Sequence, residues 1–178
     1  PDAVDNLSEE QLLWLEQDLA GTNKPTVIFS HQGLEKIRED GTGLRNAERL
    51  QAIFRKVNSD AGFRKVVACM NGHNHVDGVR ETEGVKYIQL NSASFFYMGP
   101  NYQITRYSEE VSQAYPILTQ SVPYRDALYA IVTLEPGVLR IEGKQSEFIG
   151  PSPIDCGHSG MHSGHPITAG IINRTLAF

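Results

Sequence analysis

The segment Val66–His75, with the sequence VVACMNGHNH, constrains the fold more than any other part of the chain. The apolar run Val66–Met70 predicts a buried strand, and the glycine that follows predicts a turn. That turn delivers His73 and His75. In extended backbone, side chains two residues apart point the same way, so these imidazoles are expected to converge. Two converging imidazoles are typical of a metal site.

A second segment that carries a histidine has the same form. Thr26–Ser30 is a strand-like apolar run, and His31 follows it directly. In open α/β sheets, ligand sites lie beyond the carboxyl ends of the strands. His31 is therefore expected to face the same site as the other two histidines. A lone histidine after a strand is more often a hydrogen-bonded structural residue, so the hypothesis depends on the combination of the two segments.

Two amphipathic helices are predicted, one before and one after the strand Thr26–Ser30. Ser8 and Gln11 have the spacing of a capping box, and regularly spaced leucines predict a helix over 8–20. Apolar residues at helical spacing predict a second helix over 47–59, with Asn46 as its N-cap. Helices that alternate with apolar strands indicate an α/β layer.

Hairpins are predicted in the second half of the chain. Turn residues at 83–84 and 135–137 interrupt strand-like segments at 76–90 and 129–142. We expect these strands to be antiparallel and to continue the sheet that holds the histidines. The predicted fold class is therefore α/β (α+β), with a mixed sheet, flanking helices and C-terminal β-hairpins.

The segment between the hairpins, 94–126, reads as an irregular loop rich in aromatic residues. They are Phe95, Phe96, Tyr97, Tyr102, Tyr107, Tyr115 and Tyr124. In one interpretation, these side chains pin a long loop onto the sheet. In the other, the loop forms a wall or lid beside a binding site.

The last part of the chain, 151–178, is rich in Gly, Ser and His and is predicted to be a terminal segment outside a domain at 1–150. Four metal-binding side chains are close together in it: Cys156, His158, His162 and His165. Their spacing matches no standard zinc motif, so a separate zinc site and a flexible segment with solvent-facing histidines remain alternatives.

Charge and composition narrow the functional classes. The formal net charge of −5 and pI near 5.7 leave no basic footprint for non-specific nucleic-acid binding. No membrane span and no signal peptide are visible. The sequence leaves oligomeric state and localisation open, with a lean towards the cytoplasm.

The order of motifs resembles the C-terminal half of the calcineurin-like metallophosphoesterases. The resemblance is carried by LSEEQLLWLEQDL, KPTVIFSHQ, VVACMNGHNHVDG and YIQLNSAS, and it covers about Leu7 to Ile141. GHNH is its most specific part. Gln32 stands where family members often carry a second histidine. The resemblance implies the C-terminal half of an αββα sandwich.

The resemblance also implies a site and a reaction. His31 and His73 would bind one metal of a two-metal centre, and His75 would bind the other. The cofactors implied are two divalent or transition metal ions, Mn, Fe, Zn or Ni. The reaction implied is attack of a metal-bound hydroxide on a phosphoester, as in a phosphatase or phosphodiesterase.

One departure from the family pattern is large. The motifs D-x-H, G-D and G-N-H, which supply the carboxylates and the general-acid histidine, are absent from the sequence. Imidazoles alone leave the repulsion between two close cations uncompensated. We therefore expect half an active site, without a catalytic residue of its own. Its partner would be the N-terminal half of the same domain, upstream of Pro1, and its substrate a phosphorylated small molecule or phosphodiester.

Further candidates and alternatives remain open. Asn74, Asp77 and Asn91 are candidates for orienting an imidazole or contacting substrate, although Asp77 reads equally well as a solvent-exposed hairpin residue and Asn91 as a strand cap. Two other hypotheses are a catalytically silent binding module and a domain in which the three histidines hold one ion.

Overall fold

Three α-helices and eleven strands occur in the residues that the computed structural model describes, 6–36 and 43–178. The helices are α1 (Glu9–Ala20), α2 (Ala47–Ala61) and α3 (Glu109–Ala114), and a 3-10 helix spans Pro116–Gln120. The strands are β1 (Thr26–Ser30), β2 (Val66–Asn71), β3 (Gly78–Thr82), β4 (Val85–Gln89), β5 (Phe95–Tyr97), β6 (Ser121–Pro123), β7 (Ala130–Glu135), β8 (Val138–Gly143), β9 (Met161–His162), β10 (His165–Pro166) and β11 (Arg174–Ala177).

The chain divides into two compact units. The first contains residues up to His73 together with Val79–Gln89 and Phe178, and the second contains Asn74–Gly78 and Leu90–Ala177. The separation of 151–178 from a domain at 1–150 stays a prediction.

The first unit is built on a four-stranded sheet with the order β1-β2-β4-β3. β2 is parallel to β1 on one side and to β4 on the other. All six residues of β2 are buried. A central parallel strand is covered on both faces, which is why its sequence is a continuous apolar run. The mixed sheet with flanking helices and C-terminal hairpins confirms the predicted fold class.

Helix α1 begins and packs as its sequence predicts. The Ser8 side chain accepts a hydrogen bond from the Gln11 backbone, and the Gln11 side chain accepts one from the Ser8 backbone. This reciprocal capping box satisfies two N–H groups at the start of the helix. The buried face carries leucines at helical spacing that join the core of the unit: Leu12, Leu15 and Leu19.

Helix α2 also lies where it is expected, and Asn46 is its N-cap residue, but the Asn46 side chain does not cap the helix. Its Oδ1 accepts from the Leu7 backbone N–H at 3.1 Å, and its Nδ2 donates to the Leu7 carbonyl at 2.8 Å. The amide pairs with the backbone of Leu7 because that residue offers both a donor and an acceptor, whereas a helix start offers only donors.

The two predicted hairpins have different outcomes. The first, β3 and β4, belongs to the sheet that carries the histidine-bearing strands, as expected. The second, β7 and β8, belongs with β11 to a separate three-stranded sheet, so its predicted place in the first sheet is wrong. Turn residues specify which strands are neighbours along the chain, but they do not specify the sheet that the pair joins.

The segment 94–126 contains short regular elements where an irregular loop is predicted. Strands β5 and β6 pair with each other. Phe96 in β5 is fully buried, whereas Tyr107 and Tyr115 are exposed. Arg106 donates to three carbonyl oxygens, those of Ser121, Ile149 and Pro151. These contacts agree with the interpretation that the segment is held by its own packing, and a role as a lid stays a prediction.

Both cysteines are free thiols. Cys69 lies in the buried strand β2, as expected for a small core residue, and burial raises its pKa to about 12. A buried thiol that stays protonated is inert.

Among the described helices, none combines the length and the apolar character needed to cross a bilayer.

Asp77 anchors the last strand of the second unit. Its carboxylate is 1% exposed and receives two hydrogen bonds from the Arg174 guanidinium, at 2.8 and 2.7 Å. It also accepts from the Ile172 backbone N–H at 2.8 Å. The alternative in which Asp77 faces solvent is wrong, because the start of the C-terminal strand covers it.

Replacement of Asp77 by Asn is expected to destabilise the protein by about 3 kcal/mol, since it leaves Arg174 with its buried charge uncompensated. Urea denaturation measures the loss. The matched control is Glu135→Gln, because Glu135 pairs with Arg140 and both side chains are about half exposed. That change is expected to cost less than about 1 kcal/mol. Equal losses in the two variants would contradict the anchoring role.

Candidate metal centre

The carboxyl ends of two parallel strands bring the candidate site together. β1 and β2 are neighbours, and Ser30 at the end of β1 lies opposite Asn71 at the end of β2. Beyond the ladder, the Gly72 backbone N–H donates to the His31 carbonyl at 3.3 Å. His31 therefore follows a strand that lies directly beside the strand leading to the GHNH turn.

His31 and His73 contact each other through ring nitrogens. His31 Nε2 lies 3.0 Å from His73 Nδ1, which is hydrogen-bond distance between neutral imidazoles. The ring centroids are 4.9 Å apart and the planes are inclined at 75°. Both side chains are exposed. One ring donates an N–H and the other accepts, in an order set by the tautomers.

The separation of the two nitrogens is close to that required of two ligands of one ion. Imidazole nitrogens bound at about 2.0–2.1 Å in tetrahedral geometry lie about 3.3 Å apart. The observed 3.0 Å requires only a small opening of the pair. Binding would replace the N–H shared by the rings, so both histidines must be neutral and both nitrogens must be acceptors.

The donor set in the described residues is incomplete. Within residues 6–36 and 43–178, no group of three or more His, Cys, Asp or Glu side chains is arranged to hold an ion. The His31–His73 pair therefore fits one side of a metal site. It does not fit a complete two-metal centre, which needs a bridging carboxylate.

The backbone of the GHNH turn differs from the extended conformation expected. β2 ends at Asn71, and both His73 (φ 65°) and His75 (φ 52°) adopt left-handed conformations. Side chains in this region are uncommon because Cβ crowds the backbone. The premise that alternation along a strand aligns the two imidazoles is therefore wrong. Such conformations occur preferentially at functional sites, where surrounding contacts maintain them.

His75 and Asn74 belong to the second unit. The His75 ring packs edge-to-face against Phe95, with 4.8 Å between centroids. Both His75 and Asn74 are half-buried. The assignment of His75 as a ligand and of Asn74 as a nearby contact stays a prediction.

The amide of Asn91 is occupied by protein contacts. Nδ2 donates to the carbonyl oxygens of Thr168 (2.8 Å) and Gly170 (3.2 Å). Oδ1 accepts from the Tyr124 hydroxyl and from the Ser92 backbone N–H, each at 2.8 Å. These bonds favour the structural alternative for Asn91. Asp77 likewise has its described bonds within its own unit, and a role for either residue beside the metal stays a prediction.

Sequence reasoning missed a polar cluster in the first unit. Glu35 accepts from Arg80 Nη1 at 3.2 Å and from Gln89 Nε2 at 3.2 Å. Only 12% of the Glu35 side chain is exposed. No sequence signal singles out Glu35, since it lies in a polar stretch. Gln89 gives a signal, because a glutamine that follows the buried residues Tyr87 and Ile88 in a parallel strand requires a partner.

His31 also lines an open cavity of about 470 Å³ within the first unit. The wall includes Trp14 and Phe29, which are exposed, together with the polar side chains of Ser30 and Gln32. His31 therefore borders an open space whose lining is both apolar and polar.

Two of the C-terminal histidines, His162 and His165, lie on the short strands β9 and β10, whereas His158 precedes them. All three are half-buried, so neither of the two alternatives for this segment is decided by their burial. His162 and His165 are opposite each other in the β9–β10 hairpin. His158 packs edge-to-face on Phe96, and its ring centroid is 4.7 Å from that of Tyr102. The described residues around them show no arrangement of three donors for a zinc ion.

No protein-family model matches the chain, and no curated protein does either. Among solved structures, the crystal structure of a dimetal phosphatase from Danio rerio resembles it with a TM-score of 0.48 and 19% identity, over 77% of this chain and 35% of that one. The chain thus spans about a third of the length of that phosphatase.

Acidification is expected to destabilise the second unit through His158. Burial lowers the pKa of His158 below its ordinary value of 6.5. The neutral ring is therefore favoured in the folded state. Its contribution to stability is complete above about pH 6.5 and is lost as the pH falls below that value.

The test compares the wild type with His158→Gln, which keeps an acceptor for the Gly160 backbone N–H. Unfolding free energies are measured by urea denaturation at about pH 7.5 and about pH 5.5. The wild type is expected to lose more stability over this interval than the variant. Identical pH dependence in both proteins would show that His158 is not responsible.

Proposed function

We propose that this chain is the histidine-bearing half of a metal-dependent phosphoester hydrolase, a phosphatase or phosphodiesterase with a two-metal centre. The observation that carries the proposal is the 3.0 Å approach of His31 Nε2 to His73 Nδ1. The two rings come from the carboxyl ends of neighbouring parallel strands, where ligand sites of open α/β sheets lie. The GHNH motif and the resemblance to calcineurin-like enzymes add support.

Each histidine has a defined part in the proposal. His31 and His73 would hold one ion through neutral ring nitrogens, and His75 would hold the second. Bound ions would lower the pKa of a water and polarise the phosphoryl oxygens. Imidazole donors suit Mn, Fe, Zn or Ni. β2 ends at Asn71, and His73, with a left-handed backbone, has its ring in contact with that of His31.

The carboxylate side of the centre is proposed to come from sequence upstream of Pro1. Bridging carboxylates compensate the repulsion between two close cations, and the motifs that would supply them are absent from this chain. The general acid is assigned to the same upstream part. The proposed substrate is a phosphorylated small molecule or a phosphodiester.

The second candidate function is a catalytically silent binding module, in which a single ion or none is bound. The observation that favours it is the lack of a three-donor group in the described residues. Without a third ligand, the mutual hydrogen bond of His31 and His73 is itself a satisfied arrangement.

Metal binding by the chain is expected to depend on both members of the pair. Co²⁺ titration, followed by d–d absorption, should show an affinity loss of about 100-fold or more in His31→Ala and in His73→Ala. The control is His158→Gln, which replaces a histidine outside the pair and should leave the affinity unchanged. Equal affinity in all four proteins would reject the pair as a binding site.

Hydrolysis is expected when the natural sequence upstream of Pro1 is restored. The extended protein should hydrolyse bis(4-nitrophenyl) phosphate or 4-nitrophenyl phosphate with Mn²⁺ or Zn²⁺, and His73→Ala should lower kcat/KM by about 100-fold or more. Full activity of that variant would rule out the assigned site. A metal-free, inactive extended protein would favour the silent module.

A further inference from the structure

We infer that Glu35, together with Arg80 and Gln89, is a positioning residue that holds His31 against His73. The inference rests on the proposed function, because it concerns the same histidine pair. All of the contacts involved lie in the first unit. None of the three residues is a candidate ligand.

The Glu35 carboxylate is fastened to two strands at once. Arg80, in β3, places Nη1 3.2 Å from Oε1 and 3.4 Å from Oε2. Gln89, the last residue of β4, donates from Nε2 to Oε2 at 3.2 Å. The exposed fractions of the Glu35 and Arg80 side chains are 12% and 27%. Loss of one partner from a largely buried ion pair costs more than loss from an exposed pair, because the remaining charge is left uncompensated.

Gln89 has a fixed amide orientation in its hydrogen bond to Glu35. It is 2% exposed, and its amide must present the nitrogen to Glu35, since the oxygen would repel a carboxylate. Its Oε1 has no hydrogen-bond partner among the described residues. Loss of the Glu35 carboxylate would leave the amide nitrogen without its acceptor as well, which carries a desolvation cost.

The N-terminal end of the segment 31–36 is held by hydrogen bonds beside the histidine pair. The Gly72 backbone N–H donates to the His31 carbonyl at 3.3 Å. Ser30 Oγ donates to the Gln32 carbonyl at 2.6 Å and tightens the turn after β1. These two bonds hold the peptide of His31 but leave the direction in which the segment continues undetermined.

The Glu35 carboxylate and the end of β2 meet over Gly33. A Cβ built at Gly33 would lie 3.6 Å from Asn71 Nδ2 and 3.7 Å from Glu35 Oε2. Between the polar contacts of His31 and those of Glu35, Leu34 is buried in the core of the unit. The backbone carbonyl of Glu35 also accepts from the Leu44 N–H at 2.7 Å.

Two attachments, one on each side of Gly33, therefore fix the direction of the segment that carries His31. Without the Glu35 carboxylate, the segment loses its side-chain connection to β3 and β4, although Leu34 stays buried and the backbone bond from Leu44 to Glu35 remains. We expect the segment between His31 and Glu35 to gain freedom as a result. Residues that orient metal-binding histidines typically change affinity by about 10- to 100-fold when they are replaced. A purely structural role would instead lower stability and leave the His31–His73 contact unchanged.

The test uses the chain with histidine rings labelled with ¹³C. Metal-free protein reports the contact through the nuclear Overhauser effect between the His31 and His73 ring protons, and Co²⁺ titration reports affinity and d–d absorption. The variants are Glu35→Gln and Arg80→Met, with the double variant. The matched control is Glu83→Gln, because Glu83 accepts from Arg55 at 2.8 Å through both oxygens on an exposed surface.

We expect Glu35→Gln to weaken the ring contact and to lower Co²⁺ affinity by about 10-fold or more, with altered d–d absorption. Arg80→Met should act in the same direction, and the double variant should add little, because the residues work as one unit. Since Arg80 is partly exposed, its variant keeps the test decisive if Glu35→Gln fails to fold. The control should match the wild type.

Two results separate this inference from the proposed function. An unchanged ring contact in folded Glu35→Gln and Arg80→Met, with Co²⁺ affinity within about threefold of the wild type, would overturn the positioning role even if the wild type binds metal. A second result is that the ring contact is lost in these variants while the wild type itself binds no Co²⁺. That result would support the positioning role and reject the metal-binding proposal.

Discussion

The parallel register of β1 and β2 is the constraint on which the candidate site depends. The ladder is irregular between Thr26 and Val27, and from there it keeps one register to Ser30 and Asn71. A shift of one residue would turn every later side chain of β1 to the other face of the sheet. The irregularity therefore decides where β1 ends relative to β2, and with it whether the two histidine turns meet.

Burial of β2 maintains that register. Its backbone pairs on both sides, and the residues before it are fixed by side chains: Asn58 Oδ1 accepts from the backbone N–H groups of Lys65 and Val66, each at 2.9 Å. The ammonium of Lys65 donates to the Leu19 carbonyl at 3.0 Å at the end of α1. Helix α1, helix α2 and β2 thus form one packed body, and the exposed imidazoles are carried at its edge. Rigid elements beneath an exposed site are what allow ligands to remain aligned.

Much of this could be predicted from local patterns, and the failures share one physical origin. The capping box at Ser8 and the buried run in β2 are local signals, and both give the observed element. The partner of Asn46 and the sheet joined by β7 and β8 depend on groups distant in the sequence. Glu35 belongs to the same class, because its partners lie 45 and 54 residues away. Periodicity contains no information on such contacts.

The bond between Asn46 and Leu7 has a topological consequence. Its two hydrogen bonds join positions 39 residues apart, so the chain from the start of α1 to the start of α2 is a closed loop. His31 lies inside this loop. Closing a segment of this length removes many of the conformations that it could otherwise explore, and the cost grows only slowly with loop length. The side-chain amide of Asn46 therefore restricts the conformations open to the His31 turn for as long as its two bonds to Leu7 are intact.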